Sequence, residues 1–251
     1  MSAEALLSPL LYAEAYALMP ENRILKTDRY RQEKDRRRSV AAGLLLRKAV
    51  LDAGIDPAVL EHLEEGENGK PFCPGLPFRF NLSHSGNYAV CAAAREEVGI
   101  DIEASRALSE ALKKRVFTEA ERRWMRSPAS WAAGEGLLSA QLSGDGQEER
   151  EAAAGICLWT VKESYLKMKG AGITVDPVLV ETEPAVWEGT GTSGREYRSF
   201  TIACREWPGE KSHAVTVWYG GIPVSVCTGS PLAVPAVRFL TPEACMGREQ
   251  G

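Results

Sequence analysis

Val98-Gly99-Ile100-Asp101-Ile102-Glu103 states a chemical problem that the rest of the chain has to answer. In an extended segment successive side chains alternate between faces, so Asp101 and Glu103 point one way while Ile100 and Ile102 point the other. Two carboxylates side by side repel unless a cation lies between them. A hard cation such as Mg²⁺ suits oxygen donors and keeps sites open for substrate phosphates. The competing reading is a pair of acids facing water at a sheet edge, and the remaining sequence has to decide between the two.

A chain of 251 residues with 44% apolar and 25% charged content can bury a sizeable core as one large domain or two lobes. The net charge of −4 argues against a general nucleic-acid-binding surface. The first twenty residues carry no basic leader and no apolar run reaches membrane-spanning length, so a cytoplasmic protein without membrane partners is expected. Six cysteines (73, 91, 157, 204, 227, 245) form no Cys-x-x-Cys pair, and three histidines (62, 84, 213) are scattered. Buried free thiols are therefore expected, with neither a zinc site nor a disulfide framework.

Upstream, Leu6 to Met19 is apolar without a clean period and is read as a first strand. From Arg23 to Arg38 eight Lys/Arg face three acids, a local reversal of sign suited to a polyanionic small molecule, although a solvated helix face has the same composition. Val40 to Leu51 reads as the apolar side of a helix ended by Gly54. Asp56-Pro57 starts a short helix and Asn68-Gly69 marks a hairpin turn. Phe78 to Leu82, Tyr88 to Ala94 and Val98 to Glu103 read as an antiparallel meander, with Ser83-His84-Ser85-Gly86-Asn87 as polar turn chemistry.

Downstream, Ser109 to Arg126 is helical with an interruption near Phe117, where Thr118 and Glu121 fit a capping box. Residues 127–154, rich in Gly, Ser, Ala, Gln and Glu, read as an insertion with a fragment of helix; Trp124, Met125 and Trp131 suit either a core or a docking surface. In Leu158 to Lys169, helical spacing lines up Trp159, Glu163 and Lys167, with Lys162 and Leu166 adjacent, before Gly170 and Gly172 break the helix. Strands are expected at Val178–Glu181, Tyr197–Cys204, Ala214–Tyr219 and Val237–Leu240. Gly189 to Gly194 matches a dinucleotide fingerprint formally, but it precedes a strand and is read as a hairpin turn.

Taken together, Gly69-Lys70-Pro71, Phe80-Asn81-Leu82-Ser83-His84-Ser85, Gly99-Ile100-Asp101-Ile102-Glu103, Phe117-Thr118-Glu119-Ala120-Glu121 and Trp159-Thr160-Val161-Lys162-Glu163-Ser164-Tyr165-Leu166-Lys167 resemble, in order and spacing, the surfactin-synthetase-activating type of 4′-phosphopantetheinyl transferase. The resemblance spans about Arg23 to Lys169. It implies an α+β fold of two pseudo-symmetric lobes, each a small antiparallel sheet on helices, with the active site in the cleft between them; residues 1–104 and 105–251 are the expected lobes. It implies transfer of phosphopantetheine from coenzyme A to a serine of an apo acyl or peptidyl carrier protein, releasing 3′,5′-ADP, with Mg²⁺ or Mn²⁺ bound by Asp101, Glu103 and Glu163. Glu163 is then the base, Lys167 faces the leaving phosphate, and Asp101 completes the catalytic set. Coenzyme A contacts fall to Arg23, Lys26, Arg38, Ser39, Lys70, Ser83, His84, Lys162 and Lys167. A monomer is expected, since two lobes in one chain can complete a site. A Mg²⁺-dependent phosphoesterase and a non-catalytic coenzyme A-binding module remain as alternatives.

Overall fold

The computed structural model describes residues 1–104, 108–127, 146–172, 174–184, 197–232 and 237–247. The chain divides into two bodies, Met1–Glu96 with Arg238–Gly251, and Glu97–Val237. Both combine helices with antiparallel strands, an α+β architecture. The division falls at 96/97 and not at 104, so the strand carrying Asp101 belongs to the second body, and the chain's last segment belongs to the first.

In the first body the expected opening strand is a helix, α1 (Pro9–Ala17). Ser8 accepts a hydrogen bond from the Leu11 amide and Pro9 takes the first turn. A good N-cap with proline pre-set for the helix outweighs the absence of an amphipathic period. The basic stretch forms α2 (Glu21–Asp28) and α3 (Glu33–Asp52). The apolar run of α3 is buried at Val40, Leu44, Leu46 and Val50. Asp56 caps the 3₁₀ turn Pro57–His62. Strands β1 (Glu64–Glu65) and β2 (Pro71–Phe72) close over a turn in which Gly69 adopts φ 76°. Strands β3 (Arg79–Ser85) and β4 (Tyr88–Ala94) form a hairpin whose two-residue turn starts at Gly86, φ 56°. A positive φ at that place suits glycine.

The second body is built on a five-stranded antiparallel sheet of order β5-β9-β8-β7-β6: β5 (Val98–Ile102), β6 (Val180–Pro184), β7 (Tyr197–Cys204), β8 (Trp207–Tyr219) and β9 (Ile222–Thr228). The expected meander is corrected here. Strand β5 does not continue the β3–β4 hairpin; it pairs with β9, Asp101 opposite Ser225. Residues 237–240 form no strand. The region read as an insertion is partly helix, because residues 147–156 open a 23-residue helix running to Lys169. Residues 128–145 with Trp131, and the Gly189–Gly194 turn, lie outside the described residues. Helices α4 (Glu110–Val116) and α5 (Glu119–Met125) meet at the Thr118–Glu121 capping box. The long helix, α6 (Gln147–Lys169), ends at Gly170 in the left-handed region, φ 65°. None of the six cysteines is in a disulfide. Burial pushes Cys157 and Cys245 up to about 11, so both remain thiols at neutral pH.

Contact between α6 and β5 passes through Gly99. A Cβ placed there would meet the Ser164 carbonyl oxygen at 1.9 Å and the Met168 nitrogen at 2.4 Å. The obstacles are helix backbone, which cannot rotate aside as a side chain does. Gly99→Ala should therefore lower unfolding free energy by about 3 kcal/mol or more, measured by urea denaturation; an unchanged midpoint contradicts the close approach.

Candidate active site

Gly99 and Asp101 share a face by strand alternation, with Glu103 one residue past the end of β5, so the helix backbone that touches Gly99 runs alongside Asp101. Lys167 donates to Asp101 Oδ1 at 2.5 Å, with the Asp101 side chain 6% exposed. One turn back, Glu163 is half-buried, and its carboxyl is raised above the usual range. Burial is the largest cause, followed by Asp101; Lys167 opposes the rise and Glu103 adds to it. The Glu163 carboxyl thus feels both Asp101 and Glu103, which lie some sixty residues away in sequence. Along α6 the buried residues include Leu158, Thr160, Val161, Lys162, Ser164, Tyr165, Leu166 and Met168, while Trp159, Glu163 and Lys167 keep partial exposure. Between Ala154 and Met168, the stripe read from helical spacing is the accessible part of an otherwise buried stretch of helix.

This donor set fits a hard divalent cation: carboxylates that disfavour one another's ionisation are relieved by a positive ion. Among the described residues no group of three His, Cys, Asp or Glu side chains is gathered tightly enough to hold a metal ion as placed. Lys167 supplies a positive charge at Asp101.

The basic segment of the first body has its own geometry. The Arg23 guanidinium donates through Nε and Nη2 to the Ser39 carbonyl, at 3.2 and 2.9 Å. It crosses α3 at Gly43, where a Cβ would lie 3.0 Å from Arg23 Nε. Burial pulls the Arg23 pKa down from its ordinary value. Lys26 pairs with Glu65 at 2.6 Å. A pocket of about 280 Å³ is lined by Asn22, Arg23, Leu25, Lys26, Arg29, Leu63, Glu65 and Pro71. Arg38 donates to the Gly86 carbonyl at 2.6 Å and to Asp35 at 2.8 Å, which ties the start of α3 to the β3–β4 turn. On β3, His84 is exposed and Ser83 is buried, as alternation requires. Lys70 is half-buried beside the β1–β2 turn.

Two family models cover most of the chain: "4′-phosphopantetheinyl transferase, N-terminal" over residues 8–96 and "4′-phosphopantetheinyl transferase superfamily" over residues 97–218. They meet where the chain divides into its two bodies. A 4′-phosphopantetheinyl transferase of Bacillus subtilis is 32% identical over 152 residues, 60% of this chain and 59% of that protein. The psf-1 transferase of Bacillus pumilus is 28% identical over 225 residues, 88% of this chain and 83% of that protein. The HetI transferase of a Nostoc species is 31% identical over 183 residues, 67% of this chain and 68% of that protein. The chain belongs to the 4′-phosphopantetheinyl transferase superfamily. Its match to the Bacillus subtilis relative spans less than two thirds of that relative's length. No helix among the described residues is long and apolar enough to cross a membrane.

Two members of the coenzyme A set expected for a phosphopantetheinyl transferase are not open to a ligand. Lys162 has no exposed side-chain surface; its ammonium donates to Glu121 Oε2 at 2.8 Å and to the Val116 and Pro177 carbonyls at 2.9 and 3.0 Å. All three donors of an ammonium are thus used. Burial pulls the Lys162 pKa down, and Glu121 holds it up. Ser39 is likewise buried, its hydroxyl 2.7 Å from that of Thr27, and it serves Arg23 rather than a ligand. Glu121 does more than start a helix: it also accepts from the Thr182 amide and hydroxyl, at 3.0 and 2.7 Å. Sequence spacing shows Lys162 beside Glu163 but not its rotation toward the core, and no local pattern joins Glu121 to Thr182.

Lys162→Met should cost about 3–5 kcal/mol, since it strands a buried carboxylate, and Glu121→Gln in the same chain should recover part of that loss. Denaturation curves give the energies. Coenzyme A affinity of the folded Lys162→Met protein should stay within about twofold of the parent; a tenfold loss reinstates Lys162 as a ligand.

Proposed function

We propose that this chain transfers the 4′-phosphopantetheine group of coenzyme A to a serine hydroxyl of an apo acyl or peptidyl carrier protein and releases 3′,5′-ADP. What supports the reading is the Lys167–Asp101 ion pair, with Glu163 one turn back and its carboxyl raised by burial and by Asp101 and Glu103, in a chain whose family carries that name. The serine oxygen forms a bond to the pantetheine-bearing phosphorus, the bond from that phosphorus to the bridging oxygen breaks, and the leaving oxygen takes the electron pair. Such transfer depends mainly on positioning and charge neutralisation.

Asp101, Glu103 and Glu163 are the residues that would hold Mg²⁺, or Mn²⁺ in its place, and the bound ion would supply charge neutralisation to pyrophosphate oxygens. Glu163 receives the serine proton, directly or through water; burial and two neighbouring acids raise its proton affinity toward that task. Lys167 offers its ammonium to the leaving phosphate and shares it with Asp101 when no substrate is present. In the first body, Lys26 and Arg38 supply cations for the coenzyme's phosphates and His84 a hydrogen bond, with Lys70 and Ser83 as further contacts. Arg23 acts from the wall of the pocket, anchored through Ser39.

Intact-mass analysis of apo carrier proteins, incubated with coenzyme A, Mg²⁺ and this protein, tests the reading. The carrier should gain the phosphopantetheine mass only when all three are present. Unchanged mass across peptidyl, acyl and aryl carriers contradicts it, and coenzyme A consumed without a carrier favours a phosphoesterase. Glu163→Gln should lower transfer at least about a hundredfold while coenzyme A still binds; transfer at the parent rate removes Glu163 as the base.

A further inference from the structure

Asp101 stands at one end of a polar row crossing the sheet under α6. Register places Ser225 of β9 opposite Asp101, Thr216 of β8 opposite Ser225, and Arg198 of β7 opposite Thr216. All four are almost without exposed surface. The neighbouring row on the same face is Gly99, Cys227, Ala214 and Phe200, so the polar line runs through apolar surroundings. The Ser225 hydroxyl lies 2.7 Å from the Thr216 hydroxyl and 2.7 Å from that of Thr160 on α6. Thr160 donates its own proton to the Cys157 carbonyl at 2.8 Å. It therefore accepts from Ser225, which accepts from Thr216.

Small apolar residues would fill these places without any polar group to satisfy. What hydroxyls add is direction. Apolar surfaces tolerate sliding, whereas a hydrogen bond weakens steeply with distance and angle. Gly99 gives α6 one close backbone contact, at Ser164 and Met168, amid side-chain packing that is largely apolar. The Thr160–Ser225 bond adds a directional contact one turn earlier, and Glu163 lies between the two.

We infer that Thr160, Ser225 and Thr216 are positioning residues: their hydroxyl chain fixes the register of α6 on β9, and through the pairing of Asp101 with Ser225 it sets where the Glu163 carboxylate stands relative to Asp101 and Glu103. The inference rests on the transferase reading above. Partners behind metal ligands commonly alter metal affinity or activity by 10–100-fold when removed, and small displacements near reacting groups are costly.

Thr160→Val keeps the shape and removes the hydroxyl, Ser225→Ala removes the partner, and Thr160→Ser restores the hydroxyl alone. Steady-state transfer and Mn²⁺ binding by electron paramagnetic resonance on the protein without coenzyme A are measured for each. Thr160→Val and Ser225→Ala should lower kcat about tenfold, leave KM for coenzyme A within twofold, and raise the half-saturating Mn²⁺ concentration about tenfold. Thr160→Ser should stay within twofold of the parent on every count. If Thr160→Val and Ser225→Ala keep the parent kcat and Mn²⁺ half-saturation, the positioning role is overturned, even where the melting temperature falls. If the parent itself transfers nothing, the transferase reading fails, and the Mn²⁺ titration alone decides the positioning role.

Discussion

A strand with no side chain at residue 99 lets a helix backbone lie directly on it, and the arrangement of the acidic site depends on that contact. Helices ordinarily rest on sheets at a distance set by two layers of side chains. At Gly99 one layer is missing, so Ser164 and Met168 come down to the strand itself. The consequence is local, at the residues next to the contact on each element. Asp101 meets Lys167, and Glu163 enters the field of Asp101 and Glu103.

Gathering three carboxylates costs free energy, and the cost has to be balanced within the second body. Lys167 balances part of it as an ion pair at Asp101. An exposed pair of this kind is worth little, but Asp101 is nearly buried and the pair is shielded from solvent on that side. Lys162, one residue before Glu163, takes the opposite course: its ammonium is locked to Glu121 and two carbonyls in the core, where it binds α6 to α5 and to the segment before β6.

How much of this was legible follows from the range of the signals. The stripe of Trp159, Glu163 and Lys167 is a helical period and could be read directly, as could the Thr118–Glu121 capping box and the alternation of β5. The partner of β5 was not found. Strand β9 holds Pro223, which demotes a strand when read locally, yet Pro223 sits opposite Trp218 beside a turn where its missing donor costs little. Gly220 and Gly221, both at positive φ, form that turn. Ser225 and Thr216 could not have been singled out, because their meaning comes from register across three strands. In the first body the basic segment was visible as charge, but its link to the His84 strand through Arg38 and Gly86 joins residues 48 apart, and no spacing rule reaches that far.

The central claim is that Gly99 brings Glu163 to Asp101 and Glu103 so that one ion can be shared. Anomalous diffraction from crystals of the protein grown with Mn²⁺ and coenzyme A tests it most directly. The account predicts a single peak within bonding distance of carboxylate oxygens from Asp101, Glu103 and Glu163. A Mn²⁺ peak bound to the strand acids with Glu163 turned away, or one bound elsewhere, would contradict it.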